Sequence, residues 1–365
     1  MREVEVLVVG AGPAGATTAR EFARRGVGVL LVDRVAFPRA KCCAGWVNAR
    51  VSTDFEWLGK DESSWRQNTF REVVIHSADL SRSARYRADG IGGSFVQRER
   101  FDGFLAAAAE AAGARFEVRE FQGLDGEIAR FSDREEVRAK VVVAADGCMS
   151  RVAVDAGVRP RQRSREAGEL VACVNLDAED PRGEEPAMHL VPMYMGIPGY
   201  GWVFQKGGTL SAGIGGAAGK MSEPKRIFER FLSDLAGKGL VPVGISAADA
   251  KVAYAPAGGA QAGTALVRGN VVAVGDAGGF VRDANGEGIY PGMLSGRLAA
   301  DVIAEALGSG DVRGLDAFAE RSRGEIGPRL RSENATALTL MPVVFQDARV
   351  AARMARYFLF GEPLL

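Results

Sequence analysis

Gly10, Gly12 and Gly15 stand in VVGAGPAGATTA with the spacing GxGxxG. Between a strand and a helix that spacing has a mechanism. The first glycine permits a tight turn, the second lets a pyrophosphate approach the main chain, and the third lets the helix pack on the strand. Ala14 and Ala19 keep the neighbourhood small. The N–H groups of the helix start then face the phosphates. Asp33 closes the next apolar run and is followed by Arg34. A carboxylate there accepts from ribose hydroxyls and disfavours a 2′-phosphate, which suits FAD or NAD rather than NADP. Asp146-Gly147, with Arg151 close behind, ends the apolar run in VVVAADGCMSR, and Gly275-Asp276 ends the one in VVAVGDAGGF. Both acids fall at carboxyl ends of expected parallel strands, where ligands bind in such sheets.

In this order and at these separations the motifs resemble a flavoprotein group that includes aromatic hydroxylases, flavin halogenases and geranylgeranyl reductases. The resemblance implies FAD. It puts Asp276, with Gly275, on the ribityl chain, and Asp146 and Gly147 at the pyrophosphate region, with Arg151 beside them. In VQRERFDGFLAAAAEAAGARF, Arg98 matches the arginine near the flavin's phosphates and ribityl chain. Asp102 matches the acid that usually follows, although here it reads as an N-terminal helix charge.

Further segments resemble the geranylgeranyl reductase branch. Gly286, Glu287, Gly288 and Ile289 match its GEGI, which implies main-chain N–H groups near the flavin pyrimidine. IPGYGWVFQK is similar to the branch's substrate-cavity signature YxWxFP, through Tyr200, Trp202 and Phe204. KCCAGWV is similar to its Lys-x-Cys-Gly loop near the flavin. Cys43 matches the cysteine there, as a proton donor or a small residue packed on the flavin, and Ala44-Gly45 stands for the glycines. The sequence departs from the branch at three places. Gln205 replaces the signature's proline, Pro198 lies two residues before Tyr200 instead of three, and Arg282-Asp283 replaces Asn-Pro. The resemblance is dense over residues 4–45, 94–155 and 270–305, loose over 160–265 and absent from the tail.

The implied activity is that of an FAD-dependent oxidoreductase hydrogenating carbon–carbon double bonds of an isoprenoid-like apolar substrate through reduced flavin. Cys43, Tyr200 and Trp202 are the candidate catalytic residues, and Trp46, Tyr200, Trp202 and Phe204 the candidate substrate wall. A second strand–GxGxxG–helix unit is missing. GIGGSF near 90 and APAGGAQAG near 255 lack that context. The electron donor is therefore expected to be external, NAD(P)H or a redox protein. One rival is a flavin monooxygenase acting on an aromatic or polyketide-like substrate. Another is a flavin-bound lipid-binding or redox-sensing protein without turnover. The halogenase pattern WxWxIP is absent.

These residues need elements to place them. Apolar runs and glycine breaks predict strands at 3–9, 27–32, 115–120, 136–145 and 270–274 and helices at 13–25, 101–112 and 288–307. Short apolar stretches at 168–176, 187–192, 200–206 and 209–215 suit an antiparallel sheet, followed by a helix at 223–237. Residues 40–95 read as polar and irregular, and the tail from 311 as mostly helical. The expected fold is α/β: a Rossmann-like FAD-binding domain (1–60, 95–160, 265–307), an inserted antiparallel-sheet substrate domain (61–94, 161–264) and a helical C-terminal region (308–365).

Composition narrows the partners. Among 365 residues, 46 Lys and Arg balance 46 Asp and Glu, so the basic excess of a nucleic-acid binder is missing. Four cysteines do not make a disulfide scaffold, which points to the cytoplasm. Cys148 and Cys173 read as buried small hydrophobes, Cys42 and Cys43 lack partners for a metal, and His76 and His189 have no companion ligands at metal spacing. No metal is expected. No signal peptide or membrane span is visible. The tail, LTLMPVVFQ and then ARVAARMARYFLF, reads as a packed helix pair that could also lie on a membrane surface.

Overall fold

Continuous apolar runs such as VLVV (6–9) and VVVA (141–144) can be buried on both faces only in a sheet covered on both sides, and they form the centre of one. The computed structural model describes residues 1–159, 170–256 and 265–365. Most of APAGGAQAG and the start of the strand expected at 168 lie outside the described residues. The chain divides into two units: Met1–Arg39, Glu99–Arg163 and Gly258–Arg331 form the first, and Ala40–Arg98, Ser164–Ala257 and Ser332–Leu365 the second. Residues 40–60 thus fall with the second unit rather than the first, and the tail is shared at 331/332 instead of forming one region.

In the first unit the main strand order is Val267–Arg268, Val271–Ala273, Glu136–Ala144, Arg2–Val9, Val29–Asp33, Arg115–Val118. All neighbours are parallel except the first pair. A hairpin, Phe121–Asp125 with Ile128–Phe131, extends the Glu136–Ala144 strand. Leu7, Leu30, Val142 and Ala273 are fully buried in its core. The sheet's carboxyl edge therefore carries Gly10, Asp33, Asp146 and Gly275 together, the edge where the three motifs were expected.

Two helices pack over this edge with little side chain between them. Gly10 has φ +100°, and a Cβ there would run into the Ala145 carbonyl; one at Gly15 would overlap the Gly10 carbonyl. In the helix Ile289–Ser309, a Cβ at Gly296 would stand 2.5 Å from the Ala14 carbonyl oxygen and 2.6 Å from Thr18 Oγ1 of the helix Pro13–Arg24.

The second unit holds a seven-stranded sheet in the order Lys251–Pro256, Leu170–Glu179, Thr209–Ala217, Gly199–Gln205, Ala187–Pro192, Glu72–His76, Ser83–Arg87. It is antiparallel except where Ala187–Pro192 meets Glu72–His76. A smaller sheet joins Trp46–Asn48, Gly93–Val96 and Arg66–Phe70. The stretch 40–95, expected to be irregular, therefore carries five strands. Each is only three to five residues long. Their partners include residues more than a hundred positions away, such as Val74 with His189, so local periodicity could not reveal them. The tail forms the helices Ala317–Glu325, Gly327–Leu330, Asn334–Val344 and Ala348–Phe360. Among the described residues no helix is long and apolar enough to cross a membrane.

The helix contact at Gly296 generates a stability prediction. Gly296→Leu should lower unfolding free energy by about 2 kcal/mol or more through overpacking. Gly308→Ala, where no described atom lies within 4 Å of the new Cβ, should be neutral or stabilise by up to about 0.5 kcal/mol. Urea denaturation of the two variants checks the contrast; equal effects would contradict the close contact.

Candidate functional site

Asp33 is 9% exposed, and both its carboxylate oxygens are already engaged by main chain. Oδ2 accepts from the Ala11 N–H at 2.9 Å and Oδ1 from the Val35 N–H at 3.2 Å. It therefore holds the glycine turn in shape while keeping lone pairs for a ribose. The Gly10 N–H is given to Val32 at 2.7 Å. Among the described residues no side chain caps the helix Pro13–Arg24, whose first position is proline, so its first-turn N–H groups are left for a ligand.

Asp146 caps the short helix Arg151–Asp155 from outside, its Oδ2 accepting from the Arg151 N–H at 2.8 Å and the Val152 N–H at 3.2 Å. Its Oδ1 is buried without a hydrogen-bond partner among the described residues. Burial raises the carboxyl's pKa against the lowering effect of those bonds. The Arg151 guanidinium turns to Gln122 Oε1 at 3.3 Å, so this residue serves the turn through its main chain.

Gly275, at φ +55°, lies against Ala14, where a Cβ would stand 2.7 Å from the Ala14 Cβ. Its N–H is given to Ser295 Oγ at 2.9 Å, and that hydroxyl donates to the Gly292 carbonyl at 2.7 Å. A Cβ at Gly288 would stand 3.0 Å from Asp276 Oδ1. The GD and GEGI segments, ten residues apart, thus meet face to face. Gly286 and Glu287 sit in a loop that closes on itself: Arg282 gives its N–H to the Glu287 carbonyl at 2.8 Å and receives that of Gly286 at 2.9 Å. Arg282, one of the departures, is buried within that loop. Gly288 precedes the first residue, Ile289, of a helix that no described side chain caps.

The orphaned Asp146 Oδ1, the uncapped helix starts and the bare main chain at Gly12 and Gly288 together fit a dinucleotide carrying a pyrophosphate. Gly147, at φ +86°, leaves open space beside Asp146. Arg34 is exposed, and Arg98 opens the helix Arg98–Ala111 half-buried. Asp102 departs from its expected role as a helix-start charge. It is fully buried and lies 3.5 Å from Arg39 Nη2, a residue the motifs did not single out.

The second unit gathers the aromatic residues. Along Gly199–Gln205, Tyr200, Trp202 and Phe204 share one sheet face, as alternation predicts. Their successive ring centres are 5.7 and 6.4 Å apart. Tyr200 is half-buried, and the other two are buried. Trp202 lies over Gly213 of the next strand, where a Cβ would overlap its ring. Its Nε1 reaches Asn175 Oδ1 at 3.0 Å, which also accepts from Ser211 Oγ at 2.9 Å. Trp46 is buried and stacks at 5.6 Å on Phe358, which also meets Tyr200 edge-on at 5.3 Å. Phe358 comes from the tail, where no motif marked it. Lys206 is the next residue on the aromatic face, buried and paired with Asp177 at 3.3 Å.

Cys43 is half-buried, and its Sγ accepts from the Gly45 N–H at 3.4 Å. Ala44 between them is half-buried. Cys42 donates to the Lys251 carbonyl at 3.4 Å, and burial pushes its thiol up to about 11.

The opposite face of the same strand explains Gln205. His76 Nε2 and His189 Nδ1 lie 3.0 Å apart, and His189 Nε2 is 3.1 Å from Gln205 Oε1. With Gln205 accepting, His189 donates from Nε2 and accepts at Nδ1, so His76 donates from Nε2. A proline could not supply that acceptor. The sequence left these histidines without companions because they stand 113 residues apart. Burial above all pushes both down to about 4; the Gln205 bond opposes it at His189, and the positive charge of Arg85 adds to it at both.

The pattern of the family described as FAD binding domain matches residues 3–327. The chain is 30% identical over 354 residues to digeranylgeranylglycerophospholipid reductase 1 of Methanothermobacter thermautotrophicus, covering 90% of this chain and 84% of that one. It is 30% identical over 353 residues to digeranylgeranylglycerophospholipid reductase 2 of Methanopyrus kandleri, covering 89% and 83%. Its fold is similar to that of a geranylgeranyl bacteriochlorophyll reductase-like protein from Thermoplasma acidophilum, with a TM-score of 0.79, 21% identity and coverage of 99% and 98%.

Two outcomes follow from this geometry. Asp276→Ala and Gly12→Val should each leave a folded protein that purifies without its yellow flavin; a stoichiometrically loaded variant would contradict the placement. The histidine pair is neutral when folded, and each imidazole takes a proton more readily when unfolded. Stability should therefore fall as the pH drops from about 6.5 through about 4. Replacing both histidines with phenylalanine should flatten that dependence in chemical denaturation.

Proposed function

The chain belongs to the geranylgeranyl reductase family of FAD-dependent oxidoreductases, and from that premise we propose that it hydrogenates carbon–carbon double bonds in the isoprenoid chain of an apolar or lipid substrate. The aromatic column Tyr200–Trp202–Phe204 over the small floor of Gly213 carries this reading. Its rings, tilted to one another, form an apolar wall suited to a prenyl chain, and the polar groups beside it, Asn175, Ser211 and Lys206, are bonded within the protein. The relatives' names, as prenyl-lipid reductases, support the same substrate class.

FAD, when bound, supplies a two-electron carrier able to exchange a hydride with carbon. The chain's own residues do the rest. Asp33 and the glycine turn would hold the adenosine half, the uncapped start of the helix Pro13–Arg24 would hold the pyrophosphate with Asp146 shaping the turn beside it, Asp276 would hold the ribityl chain, and the helix start at Gly288 and Ile289 would offer its N–H groups to the flavin pyrimidine. Trp202 orients the substrate chain; its indole N–H is committed to Asn175, so it positions rather than donates. Tyr200 and Cys43 are half-buried and carry transferable protons, which makes them the groups that can protonate the second carbon of the double bond. Trp46 and Phe204 complete the apolar wall and exclude water. The electrons come from an external donor, NAD(P)H or a redox protein, and a lipid substrate would be met at a membrane surface.

Anaerobic turnover tests the reading. The flavin is reduced with dithionite, and prenyl diphosphates and prenyl lipids are added. Flavin reoxidation with products heavier by two hydrogens is expected. Reoxidation only after oxygen is admitted, with a hydroxylated product, would replace it with a monooxygenase reading. No product under either condition would favour a binding protein. Trp202→Ala should raise KM more than it lowers kcat. Cys43→Ala should lower kcat by about 100-fold if the thiol is the proton donor, with flavin content unchanged.

A further inference from the structure

Arg39 belongs to none of the sequence motifs, yet it is tied to two of them. Its Nη2 lies 3.4 Å from Asp33 Oδ2 and 3.5 Å from Asp102 Oδ2. The guanidinium also sits 5.1 Å from the centre of the Phe37 ring, and Phe37 rests on the helix Arg98–Ala111 at Gly103. These contacts fix where the side chain points. Nη2 is 3.7 Å from the position a Cβ would take at Gly12, the glycine whose bareness admits a pyrophosphate.

The carboxylates do not saturate this guanidinium. Charge-assisted N–H···O bonds close to about 2.7–2.9 Å, and both ion-pair distances are longer. Nε is buried and has no hydrogen-bond partner among the described residues. A guanidinium carries five N–H donors, and burying them unused costs free energy. An arginine that served only to neutralise Asp102 would close on it in a two-point fork. This one is stretched between two acids, with donors to spare beside the phosphate turn. Asp102 is fully buried, so its part is to aim the guanidinium rather than to meet a ligand.

We propose that Arg39 binds the pyrophosphate of FAD across the Gly12 turn, and that Asp102 is the positioning residue that holds it there. The proposal rests on the FAD assignment and adds the cation that the glycine motif lacks. It gives the segment between the second strand and the Cys43 loop a direct part in holding the cofactor.

The test uses the full chain, freed of flavin and titrated with FAD by fluorescence quenching, with melting followed in parallel. Arg39→Met alone would take this cation away from the fully buried Asp102, so the double variant R39M/D102N removes both charges together. It should melt near the flavin-free wild type yet bind FAD about 30-fold more weakly, the worth of a lost charge-assisted bond. R39K should recover part of the affinity while shifting the phosphorus NMR signals of bound FAD, which a purely structural arginine would leave in place. A double variant with wild-type affinity, or unchanged affinity and phosphorus signals in R39K, overturns the proposal. If the wild type itself fails to bind FAD, the cofactor assignment falls instead. If R39M/D102N does not fold, R39K decides.

Discussion

The first turn of the helix Pro13–Arg24 is approached by main chain from three sides. The turn before it folds back until Gly15 touches the Gly10 carbonyl, the GD segment presses Gly275 onto Ala14, and the helix Ile289–Ser309 brings Gly296 onto the Ala14 carbonyl and Thr18. None of these approaches leaves room for a side chain. Their consequence is chemical. Side chains that could cap the helix are kept out, so its first N–H groups stay available to a ligand, and the acids at the strand ends, Asp33, Asp146 and Asp276, are held at fixed places around them. A single added methyl group at any of these contacts would push apart elements that must meet for the site to exist.

The second unit applies the same economy of small residues to a sheet. Along Gly199–Gln205 the even-numbered side chains build the aromatic column, while Gly201 on the other face leaves space for the Phe231 ring. Gly213 does the same beneath Trp202. The polar atoms of this unit are tied down: Trp202 to Asn175, Lys206 to Asp177, His76 to His189 and Gln205. An aromatic face whose hydrogen bonds are internally satisfied presents carbon rather than polar groups.

The nucleotide half of the fold was legible because its signals are local. GxGxxG, Asp33, Asp146-Gly147 and Gly275-Asp276 each sit at the end of an apolar run that can be read by eye, and the sheet brings them to one edge. The aromatic column was legible for the same reason, since a period of two along one strand fixes the face. What escaped depends on partners far away in the chain. The strands between 40 and 95 are short and find their neighbours across the sequence. Arg39 has meaning only once Asp102 and Gly12 are beside it. The two histidines look solitary until parallel strands bring them together, and Gln205, a mismatch in the motif, becomes their acceptor. Phe358 covers Tyr200 from a tail in which the sequence shows no family motif.

Amide hydrogen exchange with and without FAD tests most directly whether these bare helix starts are the cofactor's seat. If they are, FAD slows exchange at residues 11–16, 275–277 and 286–289 and leaves the hairpin Phe121–Asp125 with Ile128–Phe131 unchanged. Stoichiometric FAD binding with no added protection in those three segments would contradict it.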